Sequence, residues 1–477
     1  MATSTIVMKF GGTSVAGVER VAGVVNIVRD FRAGKLPLAP EGGRAVVVVS
    51  AFSGVTDRLI SAARAAARRD ETTFRQVAQD LRREHHAAID ALVPREAAER
   101  QSDLRAQVEA LILGFENLCR AITILGELTP RGLDSVASLG ERLSAPILAA
   151  ALVEAGIPSQ AVEATRLIVT DDVFGEAAPQ IEATRVKTRE VLVPLLNEGI
   201  VPVVTGFIGA TANGVTTTLG RGGSDYSVAI LGSCLDSDEV WIWTDVNGVL
   251  TADPRIVPQA RTLPHISYAE AAELSYFGAK VLHPKTMLPA MERGIPLRIL
   301  NTFQPKLPGT VVTVADGNGG TVKAITTIRD LALVTVEGRG MMGVPGIAAK
   351  VFSAVAHEDI SVLMISQASS EQSICFVVRQ QDTARAVAAL QNTFEQQVAR
   401  RNVDRIWAQE GVAIVAVVGA GMRGTPGIGA KVFGALGRRG LNVISVAQGS
   451  SEYNISLVVK QDEAFEAVQA IHQEFEL

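Results

Sequence analysis

The sequence predicts an α/β protein: a helix–sheet–helix three-layer sandwich with a mainly parallel sheet, followed by two small α+β units. Three observations carry that expectation. Short β-branched runs alternate with helical stretches from residue 6 to about residue 301. Many of the 43 glycines fall at the ends of those runs, where tight strand-to-helix turns need them. The last third of the chain repeats itself.

The first strand is expected at residues 6–10, broken by Gly11-Gly12, with a helix over 18–31. Residues 45–50 are almost all β-branched, the signature of a strand covered on both faces. From 57 to about 126 the pattern is helical and rich in Ala, Arg, Glu and Leu. Strands at 201–207 and 240–244 then flank a helix that begins near Ser224. The segment 302–310, TFQPKLPGT, has two prolines and little apolar pattern, and reads as a linker or edge.

Residues 334–394 align without gaps to 415–475 at an offset of 81, with about two-fifths of positions identical. The shared frame is G-x-G-M-x-G-x-P-G-I-x-A-K-V-F, then a strand, then Q-x-S-S-E. Each copy predicts strand–helix–strand–strand–helix. Both contain G-x-G-x-x-G, at 338–343 and 419–424, but a unit of about 60 residues is too small for a dinucleotide fold.

Composition excludes several classes. A net charge of −5 leaves no nucleic-acid footprint, and the Arg-rich run at 64–69 is the solvated side of a helix. Cys119, Cys234 and Cys375 are far apart, without metal spacing, and fit buried thiols in a reducing compartment. The N-terminal residues show no secretory pattern and no apolar run reaches the length of a membrane span, so a cytoplasmic location is expected.

The chemistry concentrates in a few motifs. Lys9-Phe10-Gly11-Gly12-Thr13 sits between a strand end and a helix, where backbone N–H groups can approach an anion and Lys9 adds a point charge. In Gly220-Arg221-Gly222-Gly223-Ser224-Asp225, glycines precede a helix expected to be capped by Ser or Asp. Arg221 is a fork for a carboxylate or phosphate, and Asp225 in the same mouth calls for a cation, either a substrate amine or magnesium. Thr244-Asp245 through Leu250, with Asp253-Pro254-Arg255, marks a strand end suited to a nucleotide contact. Ser50 and Thr56 supply hydroxyls after the second strand, Lys280 neighbours a glycine, Glu141 could be a surface charge, and His283 before Pro284 reads as structural.

Taken together, KFGGTSV at 9–15, SAFSGVT at 50–56, GERLS at 140–144, TLGRGGSDYS at 218–227, WTDVNGV at 243–249, ADPR at 252–255 and ELSYFGAKVLHP at 273–284 resemble the aspartate kinase family over nearly the whole chain. The resemblance implies an amino-acid-kinase fold for residues 1–305 and ACT domains for 306–400 and 401–477, interleaved at their ends. It implies phosphoryl transfer from Mg2+-bound ATP to the side-chain carboxylate of L-aspartate. In that pattern Lys9 and Asp225 are catalytic. Ser50, Thr56, Glu141, Phe207, Arg221, Gly222, Gly223 and Ser224 shape the aspartate pocket, with Arg221 at the α-carboxylate and Glu141 and Asp225 facing the amino group. ATP would meet Lys9, Phe10, Gly11, Gly12, Thr13, Thr244, Asp245, Leu250, Arg255, Lys280 and Val281. Leu250 departs from the tyrosine often found there, which puts aromatic stacking on the base in doubt.

Gln367 and Gln448, each followed by x-S-S-E, resemble the threonine-inhibited branch, including the kinase part of aspartate kinase–homoserine dehydrogenases. The implied effector is threonine, with lysine second, and pairing through ACT domains implies a homo-oligomer. A kinase of another small acid, or an inactive amino-acid sensor, is the alternative.

Overall fold

Four parallel strands at the centre of an eight-stranded sheet fix the position of everything that follows. In chain order the strands of the protein are β1 (Thr5–Phe10), β2 (Arg44–Val49), β3 (Ser159–Val162), β4 (Val169–Thr170), β5 (Val201–Thr205), β6 (Ile208–Thr211), β7 (Thr216–Thr218), β8 (Glu239–Thr244), β9 (His265–Ser267), β10 (Leu297–Asn301), β11 (Thr310–Thr313), β12 (Ala324–Glu337), β13 (Met364–Gln367), β14 (Ser373–Arg379), β15 (Arg405–Val418), β16 (Ser445–Gln448) and β17 (Asn454–Lys460). The computed structural model describes residues 4–278, 282–315 and 320–477. Among these it divides into a first unit, residues 4–249, 264–268 and 282–315, and a second, residues 250–263, 269–278 and 320–477.

The first unit holds the sheet β3-β5-β2-β1-β8-β10-β11-β9, parallel from β3 through β10. Helices on both faces bury β1 and β2 almost completely, which explains their unbroken apolar reading. The long helical stretch resolves into Val55–Ala67, Glu71–Leu92 and Ala98–Leu125. Asp70 caps the second by accepting the Thr73 N–H at 3.1 Å, and Gly126, at φ 70°, ends the third. The proline-bearing segment 302–310 is a turn into β11, which lies between β10 and β9, so the segment connects two paired strands and is not the edge of the sheet. The expected strand 201–207 stops at Thr205, because Phe207 turns to φ 68°. One stretch, Pro130–Glu154, is long and apolar enough to cross a membrane by composition, but 83% of its window is buried inside the fold.

The second unit is built on the repeat. Each copy has the expected strand–helix–strand–strand–helix order, with helices Ile347–His357 and Thr383–Thr393 in the first, Ile428–Arg438 and Ala464–Glu474 in the second. The two copies share one sheet, β13-β14-β12-β15-β17-β16, through antiparallel pairing of the long strands β12 and β15. The loop 250–263 joins the second copy's core. Ala252, Ile256 and Val257 pack with Val432, Leu457 and Ile471, and Thr251 Oγ1 lies 2.9 Å from His472 Nε2.

Candidate active site

Four neighbouring parallel strands, β5, β2, β1 and β8, end on the same side, and a cleft of about 710 Å³ opens there. Beyond β1 come Gly11, Gly12 and Thr13; beyond β2, Ser50 to Gly54 and Thr56; beyond β5, Phe207; beyond β8, Asp245. All of these line the cleft, as do Lys9 and Thr244 at the strand ends themselves. Chain connectivity therefore gathers segments as distant as residues 9 and 245.

Lys9 is the central cation. It is 9% exposed, and its Nζ lies 2.6 Å from Asp225 Oδ1. Asp225 sits in the first turn of the helix Gly223–Leu235. That helix is not capped by Ser224 or Asp225 as the sequence suggests. Gly222, at φ 72°, occupies the cap position without a side-chain bond, which frees Asp225 to face Lys9. Gly11 leaves the space that Lys9 uses: a Cβ there would stand 3.3 Å from Nζ. Ser224, Gly222 and Gly223 line the same wall, and Arg221 is exposed at the mouth.

Glu141 is the second unusual charge. It lies in the first turn of the helix Leu139–Glu154 and is 3% exposed. Its Oε1 accepts the Ala51 N–H at 3.1 Å, while Oε2 is buried without a hydrogen-bond partner among the described residues. Burial pushes its carboxyl up to about 8, against the lowering effect of the Ala51 N–H. This is no surface helix charge. An acid in this state is suited to meeting a cation that enters the cleft.

Phe207 closes one side in a strained conformation, at φ 68°. Its N–H donates to Ser227 Oγ at 3.0 Å and its carbonyl accepts the Leu219 N–H at 2.9 Å. Asp134, which sequence reasoning missed, braces the opposite wall. Buried and cleft-lining, it accepts Thr218 Oγ1–H at 2.7 Å, the Thr218 N–H at 2.9 Å and the Gly175 N–H at 3.0 Å. Nothing in P-R-G-L-D distinguishes it from a solvated carboxylate, so no local signal could have found it.

Other expected residues fall elsewhere. The Phe10 side chain is fully buried, stacked on Trp243 at 5.8 Å. Leu250 and Arg255 belong to the second unit, where Leu250 bridges to Thr262 and Arg255 pairs with Asp253 at 2.6 Å. Lys280 and Val281 lie outside the described residues. His283 is structural as expected, accepting the Lys285 N–H at 3.3 Å to cap the helix Pro284–Glu292. Gln367 and Gln448 are exposed at the ends of β13 and β16, the two edge strands of the second sheet. Those edges meet, since Ser366 Oγ–H donates to Val446 O at 3.2 Å.

The described residues contain no cluster of three or more His, Cys, Asp or Glu able to hold a metal ion. Asp225 and Asp245 both line the cleft, a donor set that fits a magnesium ion held mainly by nucleotide phosphates rather than by a protein cage.

A profile of the amino acid kinase family matches residues 4–301, and a profile of the ACT domain matches 334–394 and 415–475, the two copies of the repeat. The chain is 39% identical over 476 residues to the chloroplastic bifunctional aspartokinase/homoserine dehydrogenase 2 of Zea mays, covering 98% of this chain and 50% of the maize protein. It thus spans about half the length of the bifunctional plant proteins it matches. It is 33% identical to the lysine-sensitive aspartokinase 3 of Escherichia coli, covering 98% of each. The solved structure of E. coli aspartokinase III in complex with aspartate and ADP superposes with a TM-score of 0.77 at 32% identity, covering 99% of this chain and 100% of that one.

Proposed function

The chain belongs to the amino acid kinase family, and within it to the aspartokinases; from that premise we propose that it transfers the γ-phosphoryl group of ATP to the side-chain carboxylate of L-aspartate. The observation that carries this reading is the pairing, in one cleft, of a buried Lys9 with a buried acid, Glu141, that has an oxygen to spare. Lys9 is suited to a transferring phosphoryl group and Glu141 to an ammonium. The relative solved with aspartate and ADP supports both ligand classes.

The mechanism follows from charge. The acceptor carboxylate of aspartate is ionised at neutral pH, so no general base is required. The barrier lies in bringing two anions together. Lys9 neutralises the transferring group, Gly11 lets the phosphates approach it while the N–H groups of Gly12 and Thr13 serve them, and Thr244 and Asp245 the nucleotide side. Arg221 at the mouth takes the α-carboxylate in a bidentate grip. Ser50, Thr56, Phe207 and Ser224 shape the pocket around the substrate. Magnesium, when bound with ATP, supplies further neutralisation of the phosphates. On binding, the substrate ammonium discharges the proton that Glu141 holds in the empty cleft, while Asp225 keeps Lys9 oriented.

Regulation by an amino acid at the repeats is part of the same reading, with threonine first and lysine second. The E. coli relative is lysine-sensitive by name and has been solved with lysine and aspartate. The paired ACT repeats suit assembly of copies of the chain into a homo-oligomer. The three free cysteines accord with the cytoplasm.

The decisive experiment is ADP release from purified protein with Mg-ATP, with and without L-aspartate, then with threonine or lysine. Aspartate-dependent release is expected. Its absence in folded, ATP-binding protein would transfer the reading to a kinase of another small acid or to an inactive sensor.

A further inference from the structure

The two repeats share one frame but close the same turn differently. In the first, the Arg339 N–H donates to Asp404 Oδ2 at 3.1 Å, and the Asp404 N–H donates to Glu337 O at 2.8 Å. At the offset of 81, Ala420 corresponds to Arg339, Val418 to Glu337, and Asp404 itself to Lys323. The backbone frame is kept, because the Lys323 N–H donates to Val418 O at 2.8 Å. The side chain is not. A lysine carries only donors and cannot take the Ala420 N–H.

A residue from outside the repeats takes it instead. Glu270 Oε1 accepts the Ala420 N–H at 2.7 Å, and Glu270 Oε2 lies 3.1 Å from Lys323 Nζ. Both side chains are buried, 0% and 5% exposed. Glu270 stands on the helix Tyr268–Tyr276, within the stretch matched by the kinase family, while residues 269–278 belong to the second unit. The helix begins in the first unit, where Tyr268 donates its hydroxyl to Ile295 O at 2.6 Å. The charge reversal from Asp404 to Lys323 thus goes with a kinase-family helix bonded to the turn of the second repeat, while the turn of the first is closed by Asp404, just before β15.

We infer that Glu270 is a positioning residue that couples the turn of the second repeat to the helix Tyr268–Tyr276, whose far end meets the first repeat only through the half-exposed Tyr276, its hydroxyl donating to Leu363 O at 3.2 Å. This rests on the regulated-kinase reading and names its route. The physical reason is that a buried carboxylate with two charge-assisted bonds cannot give up one cheaply. A ligand that rearranges residues 419–427 must move Glu270, and with it the helix.

Hydrogen–deuterium exchange on the full chain, without ATP or aspartate, tests it. Glu270→Met with Lys323→Met removes the acceptor together with the ammonium it pairs with. Exchange is expected to rise about tenfold in both 419–424 and 269–276, with 338–343 unchanged. Asp404→Ala should loosen 338–343 alone. Glu270→Met with Lys323→Asp rebuilds the arrangement of the first repeat; the turn should regain its protection while the helix stays loosened. The inference is overturned if the Met pair loosens only the helix or only the turn, or if the Lys323→Asp variant restores both, which is what plain stability would give. Absence of ADP release from the wild-type chain would count against the kinase reading alone and leave the exchange result standing.

Discussion

The cleft and the repeats are both rich in glycine, and the two regions use it for opposite ends. In the cleft, Gly11 clears space for a functional group: an added Cβ would crowd only the tip of Lys9, at 3.3 Å. In the repeats, Gly338 and Gly419 clear space for backbone. A Cβ at Gly338 would stand 2.4 Å from Asn402 O, and one at Gly419 2.5 Å from Thr321 O. The third glycine of each G-x-G-x-x-G takes a positive φ, 70° at Gly343 and 64° at Gly424, and gives its N–H to Glu371 or Glu452, at 2.8 and 2.6 Å. Those are the glutamates of the two Q-x-S-S-E motifs. The pattern that suggests a phosphate loop is a clasp within each repeat, its third glycine already bonded to protein, while the loop that lacks the pattern opens into the cleft.

The comparison breaks most sharply at Lys9. Lys9→Ala should lower kcat by about a thousandfold or more, because it removes the buried cation placed for the transferring phosphoryl group. The fold should be kept, with a fall in unfolding temperature because Asp225 loses its cation. Near-normal turnover in ADP release would remove Lys9 from the mechanism.

Glu141→Gln is next. The KM for aspartate should rise about a hundredfold, from the loss of a buried ion pair with the substrate ammonium. The pH dependence has a definite sign. Burial raises Glu141 from its ordinary 4.5 to about 8, so the unfolded chain sheds that proton first. Ionisation therefore favours unfolding, with nothing lost below about 4.5 and a penalty that grows until pH passes about 8. Glu141→Gln should match wild type near pH 4.5 and exceed it by a few kcal/mol at most near pH 8. In wild type, the KM for aspartate should fall as pH rises toward 8. A flat stability difference across that range would mean that Glu141 is ionised in the empty cleft.

A matched pair of alanines sharpens the contrast itself. Gly338→Ala should destabilise the second unit by about 2 kcal/mol through overpacking against backbone, with uninhibited ADP release kept. Gly11→Ala, at φ −71°, should cost little stability yet lower kcat about tenfold by displacing Lys9. Equal stability losses in the two variants would erase the distinction.

The asymmetry also explains what the sequence could tell. The sheet, the repeat and most cleft residues were legible because chemistry and local pattern agree there: Lys9 before Gly-Gly, Arg221 among glycines, β-branched runs in β1 and β2. The cap of the helix Gly223–Leu235 was misread because Asp225 has a better partner 216 positions away in Lys9, a tertiary pull that overrides a local preference. Asp134 and Glu270 were invisible because the backbone N–H groups they accept lie far along the chain, Thr218 at 84 positions and Ala420 at 150, and leave no mark on sequence pattern. The two halves of the repeat align at the level of residues, yet Asp404 and Lys323 show that one charge can turn a symmetric frame to an asymmetric use.

The smallest effect is expected at the sheet edges. Gln448 ends β16 and Gln367 ends β13, both exposed, with a neutral amide that can donate to a carboxylate and accept from an ammonium. If the turn of the second repeat is the coupled one, the two glutamines are not equivalent. Gln448→Ala should raise the half-inhibiting concentration of threonine or lysine about fivefold, the worth of one net hydrogen bond of about 1 kcal/mol, with the basal rate unchanged. Gln367→Ala should weaken binding by a similar factor, measured by calorimetry, yet change inhibition less. Equal loss of inhibition in both would mean that the repeats speak to the kinase as one body, and that the charge reversal at Lys323 serves packing alone.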